Sequence, residues 1–140
     1  MLEPTSRPSR LRSAEHALHI ISLAFRDDGK TGTVLLIDRL PPAHGIAVPI
    51  DNDPNGEAVD RVDDLVLQAI DPEPGCRIVL AARRRPGLCM VDEVDLQLWR
   101  RLQARHVAAG IPLLDLFILS GQAAFSMAEL AGPRADWRAT

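Results

Sequence analysis

The 140 residues suffice for one domain with a core of useful size, and two full domains would be cramped. Apolar residues make up 46% and charged residues 25%, the balance of a folded globular chain rather than a disordered one. A net charge of −3 argues against a whole-surface nucleic-acid binder, and no apolar run approaches the roughly 20 residues that span a bilayer.

The N-terminal arginines are not followed by an apolar stretch of signal-peptide length, so a cytoplasmic protein is expected. Cys76 and Cys89 form no CxxC pair and read as reduced thiols rather than a disulfide framework. Of the 16 basic residues only Lys30 is lysine, which codon usage in a GC-rich genome explains as readily as selection for guanidinium chemistry.

Taken in order, residues 1–13 are polar, proline-containing and basic, and read as a disordered tail ahead of a domain at 14–132. From Ala17 to Phe25 the run ALHIISLAF has the length and apolar content of a strand. Asp27–Gly32 supplies turn residues before a second apolar run, Thr33–Leu40, so a β-hairpin is expected. Gly29-Lys30-Thr31 is not the end of a phosphate-binding loop, because Ala24 stands where that pattern needs glycine and a strand follows instead of a helix. Residues 41–54 are loop-rich, with a short extended piece at Ile46–Ile50; His44, alone in this loop, reads as a solvated residue.

The segment from Asn55 to Asp71 reads as a helix. Val59, Val62, Leu65, Val66, Ala69 and Ile70 make its apolar face, and Asp60, Asp63 and Asp64 its solvated one. Asn55 suits the N-cap, Glu57 the first turn, and Pro72 stops the run. Ile78–Ala82 is wholly apolar, as expected of a strand covered on both faces. A loop rich in arginine, Arg83–Met90, is broken by Pro86-Gly87 and leads into a long helix from about Asp92 to Ala109. Gly110 closes that helix at the C′ position, with Pro112 shortly after.

Asp92 and Glu93 complement the positive end of the helix dipole. Leu98, Trp99, Leu102, His106 and Ala109 share one face with Asp95, a carboxylate one turn from an apolar patch that therefore needs a partner. Capping or a salt bridge at the helix start would supply one. His106 reads as a core-edge histidine bonded to a backbone carbonyl rather than a ligand. Leu113–Leu119 is a second buried strand, Ala124–Phe125 a last short strand, and Ser126–Ala131 a capped helical turn before a loose end at 133–140. The order of elements suggests one α/β sandwich-like domain.

The block from Ile78 to Glu129 resembles the RadC-like branch of the JAB/MPN (JAMM) metalloprotease-like domains. In that family a buried strand delivers His-x-His-Pro-Ser-Gly and a loop leads to Ser-x-x-Asp at a helix start. The helix ends in glycine, and a Leu-Leu-Asp strand and a Phe-Ser motif follow. The matching pieces are Ile78–Ala82, Pro86-Gly87, Asp92–Asp95, Leu98–Leu102, Gly110–Asp115, and Phe125-Ser126 with Glu129. The resemblance covers most of residues 17–131, more strongly at 95–129 than before 78. It implies a three-layer, cytidine-deaminase-like α/β domain with a mixed sheet and flanking helices. It also implies a zinc held by two histidines and an aspartate, with an acidic base.

The chain departs from the family where that chemistry lies. Counting back from Asp95 without gaps puts Ala82 and Arg84 at the histidine positions; anchoring on Pro86 with a gap gives Arg83 and Arg85. Asp92 replaces the family's serine, Asp38 is the one candidate for the acidic base, and Asp95 alone matches. A guanidinium has donors and no lone pair, so it cannot ligate a metal. One of Arg83–Arg85 is expected instead to stand where the cation would be, paired with Asp95 and Asp92.

The leading expectation is a catalytically inactive domain, without cofactor, that binds a protein or ligand or self-associates. An alternative is a zinc hydrolase with a displaced ligand set drawn from His44 or His106 with Asp95. His106 follows Asp95 by 11 residues, about 16 Å along a helix, too far to share one ion. A second alternative is a repair-type DNA-associated protein using Arg7, Arg10, Arg12, Arg83–Arg85, Arg100, Arg101 and Arg105 against phosphates. Low aromatic content and neighbouring carboxylates weigh against it.

Overall fold

The computed structural model describes residues 11–24, 32–38, 58–70, 75–84, 91–120, 123–131 and 137, together with the backbone of 44–49. Among the described residues four helices and five strands follow one another as α1 (Ala14–Ala24), β1 (Gly32–Asp38), β2 (His44–Pro49), α2 (Ala58–Ala69), β3 (Arg77–Arg84), α3 (Glu93–Ala109), β4 (Leu113–Ser120), β5 (Ala123–Ser126) and α4 (Met127–Ala131). The strands form one mixed sheet in the order β2-β1-β3-β4-β5. β3 and β4 run parallel across the α3 crossover; the other pairs are antiparallel.

Each strand divides its side chains between two cores, as the pleat requires. On one face Leu35, Ile37, Ile78, Leu80, Ala82, Leu116 and Ile118 meet Val59 of α2, Leu98, Trp99 and Leu102 of α3, and Met127 of α4. On the other Val34, Leu36, Val79, Ala81 and Phe117 meet Leu11 and the Ala17 and Ile21 positions of α1. The chain is thus a single mixed α/β domain with helices on both sides of a sheet. This accounts for apolar runs without polar alternation inside the strands: β1 is buried at every residue.

Three expectations change. Ala17–Phe25 is not a strand: residues 17–24 belong to α1, and the hairpin partner of β1 is β2. The spacing explains this, since Ala17 and Ile21 lie four apart and both are fully buried. Ser13 starts the helix, its Oγ accepting the His16 N–H at 3.1 Å. Residues 11–13 are not a loose tail either, because Leu11 is buried and its N–H donates to Asp38 at 3.4 Å. At the other end, the Trp137 carbonyl accepts a hydrogen bond from Arg77 at 2.8 Å. The third change is in α2, where Asp63 is fully buried while Leu65 is exposed. Asp63 lies four residues after Val59 and three before Val66, the positions of the apolar face.

α3 begins and ends as its residues dictate. Asp92 is the N-cap in extended backbone, with its Oδ1 accepting the Asp95 N–H at 3.2 Å, while Asp95 Oδ2 accepts the Asp92 N–H at 3.1 Å. This is a capping box built from two aspartates. Gly110, at φ 76°, takes the left-handed position that terminates the helix.

Candidate functional site

The site is built where the end of β3 meets the start of α3. Along β3, Ile78, Leu80 and Ala82 point to the α3 face and Val79 and Ala81 to the α1 face. Arg84 continues the first set and Arg83 the second. On α3, Asp95 lies on the buried side with Leu98 and Trp99. Arg84 and Asp95 therefore converge, and they do so as a fork. Arg84 Nη1 donates to Asp95 Oδ2 at 3.0 Å and Nη2 donates to Oδ1. The two side chains are 7% and 4% exposed, so the pair is desolvated.

Asp95 Oδ2 thus receives both the guanidinium and the Asp92 N–H. Burial favours the neutral acid. The hydrogen bonds from Arg84 and the Asp92 backbone, with the Arg84 charge, outweigh it and hold the Asp95 carboxyl below the usual carboxylate range. The partner that the helix periodicity demanded is present, and capping and ion pairing operate together.

The other expected site residues are distributed differently. Ala82 shares the Arg84 face and abuts the apolar core. Arg83 belongs to the opposite face, and Arg85 lies outside the described residues, as do Pro86-Gly87 and the side chain of His44. Asp92 is exposed and acts as the cap.

Asp38 is not near Asp95. It pairs in register with Arg77, at the other end of β3 from Arg84 and on the α1 face. The seven-residue offset amounts to about 23 Å of strand. Arg77 forms a buried ion pair with Asp38 and donates to the Leu11 carbonyl at 2.9 Å, tying the segment before α1 to the sheet. Asp38 thus serves packing and cannot reach the Asp95 end as a base.

Two further polar constellations join residues that the sequence reading did not bring together. Asp115 of β4 is buried; its Oδ1 accepts the N–H groups of Leu116 at 2.8 Å and Ala128 at 3.0 Å, and its Oδ2 accepts the Ser126 hydroxyl. Burial raises its carboxyl above the ordinary value, and these hydrogen bonds only moderate the rise. Asp63 of α2 meets Arg105 and His106 of α3. The position of Asp63 on the apolar side of α2 was the available signal for the second; nothing in the local pattern announces the first. His106 does bond a backbone carbonyl, that of Ile111, as its place near the helix end suggests.

A zinc centre does not fit these residues. Among the described residues of the β3–α3 junction, Asp95 is committed to Arg84 and Asp92 to the helix cap, Ala82 has no donor atom and Arg84 presents a cation. Among the described residues no group of three or more His, Cys, Asp or Glu could hold a metal, and no helix is long and apolar enough to cross a membrane. No protein-family model matches the chain, and none of the curated proteins matches it.

Proposed function

We propose that the chain is a catalytically silent JAB/MPN-like domain that acts as a protein-interaction or ligand-binding module. The observation that carries this reading is the buried Arg84–Asp95 fork. In the resembled family the corresponding aspartate holds a metal cation. Here a guanidinium supplies the positive charge, satisfies the carboxylate in a geometry suited to it, and leaves no site for a metal-bound water. Strand parity supports the ungapped correspondence: Ala82 and Arg84 lie two apart on the face of Asp95, as a His-x-His pair would, whereas Arg83 lies on the other face. A domain that keeps this framework without the metal set functions through its surfaces, by self-association or by binding another protein.

Restoring the ligands tests the reading. Ala82→His with Arg84→His should give a protein that binds about one zinc in calorimetry and elemental analysis, while the parent binds none. Stoichiometric zinc in the parent, with hydrolysis of a peptide or isopeptide, would overturn it. Failure of the folded double variant to bind zinc would remove the family correspondence. Self-association is read separately, as a concentration-dependent rise in mass by sedimentation.

A further inference from the structure

His106 lies in the last turn of α3 and is 1% exposed. Its Nδ1 is 2.9 Å from the carbonyl oxygen of Ile111 and its Nε2 is 2.6 Å from Asp63 Oδ1. A carbonyl oxygen is only an acceptor, and so is an ionised carboxylate. A neutral imidazole has one N–H, so it would satisfy one neighbour and turn a lone pair toward the other. In a buried site that opposition is costly.

The remaining way to complete both bonds is a neutral Asp63 that donates its own proton to Nε2. Arg105 opposes it. Its Nη1 lies 3.2 Å from Asp63 Oδ2 and its Nη2 lies 2.6 Å from Asp60 Oδ1, and a guanidinium on the second oxygen favours the ionised acid.

We infer that His106 is an imidazolium in the folded protein, and that its second proton makes the α2–α3 joint a pH-sensitive latch. The surrounding charges agree. From α2, Asp63 faces the ring, with Asp60 and Asp64 beyond Arg105; from α3 come Arg105 and Arg101, the latter 3.3 Å from Asp60. The turn after α3 presents the Ile111 carbonyl. Within this cluster three carboxylates face two guanidiniums, and a protonated ring completes the balance. Loss of that proton takes the ring N–H from either the Ile111 carbonyl or Asp63 Oδ1, loosening the end of α3 or its seat on α2. His106, Gly110 and Ile111 also wall a cavity of about 420 Å³, so the latch governs the shape of that recess.

Imidazole nitrogen NMR on the labelled wild-type chain tests this. At about pH 7.5, above the ordinary histidine value of about 6.5, the His106 ring should carry two protons. A single protonated nitrogen at His106 would overturn the inference. Thermal stability gives a second readout. The second ring proton holds the Ile111 carbonyl and Asp63 Oδ1 together, so its loss at higher pH weakens the joint. Wild-type stability should therefore fall with rising pH relative to His106→Gln. Parallel curves would count against the latch, and the NMR measurement stands even where the variant fails to fold.

Discussion

Replacing Asp95 by alanine strips a buried guanidinium of its carboxylate. The Arg84 side chain is 7% exposed, so water cannot take over the role of Asp95 without opening the β3–α3 junction. Breaking a buried pair from one side costs about 3–5 kcal/mol. The variant also loses the acceptor for the Asp92 N–H, one half of the capping box. For a chain of this size 1 kcal/mol moves the melting temperature by about 3 °C, so a drop of about 9–15 °C is expected.

Arg84→Met should also destabilise, because it leaves the buried Asp95 carboxylate with the Asp92 N–H in place of a cation. The double variant Arg84→Met with Asp95→Ala should cost less than the two singles together, by about 2–3 kcal/mol, since neither charge is then stranded. Denaturant melts of the four proteins measure the cycle. The pH dependence has a definite sign. Asp95 is held below its ordinary range when folded, so its contribution is present above the unfolded value of about 3.9 and lost as pH falls through the folded value. An Asp95→Ala protein within about 1 kcal/mol of wild type, or strict additivity in the cycle, would refute the reasoning.

Asp115 should behave oppositely: its carboxyl is raised by burial, so the folded state gains protons first and stability falls as pH rises from about 3.9 through the folded value. Asp115→Asn keeps an oxygen for the Leu116 and Ala128 N–H groups and should flatten that part of the profile. Asp115→Ala, which leaves both buried donors unsatisfied, should cost about 2–4 kcal/mol in urea melts. At Gly110 a methyl group meets nothing within 4 Å, so Gly110→Ala tests backbone conformation alone. The left-handed φ should cost about 1–2 kcal/mol, and Gly110→Asn less; a neutral alanine variant would show that the helix end had shifted.

Much of the frame was legible because local rules and tertiary demands coincide there. β3, α3 and β4 appear in the sequence as an apolar run, a periodic helix stopped by Gly110, and a second apolar run. Asp95 could be singled out before any contact was known, since a carboxylate on a buried helix face must find a partner. α1 was lost because a short apolar run fits a strand or a helix, and length does not decide between them. Its pairing of Ala17 with Ile21 on one sheet face only becomes visible once the sheet exists.

The sequence by itself determined the classes of element from β1 onward, the Gly110 end of α3, and the need for a partner at Asp95, with an arginine of 83–85 expected to supply it. Which cation was a matter of strand parity and register. β3 turns Arg84 to α3 and Arg83 to α1, and the β1–β3 pairing carries Asp38 to the far end. The joining of Asp63 to His106, 43 residues apart, and of Asp115 to Ser126 likewise belongs to tertiary structure. Side-chain type and periodicity state what a buried polar group requires; only the packing of distant segments decides which residue supplies it.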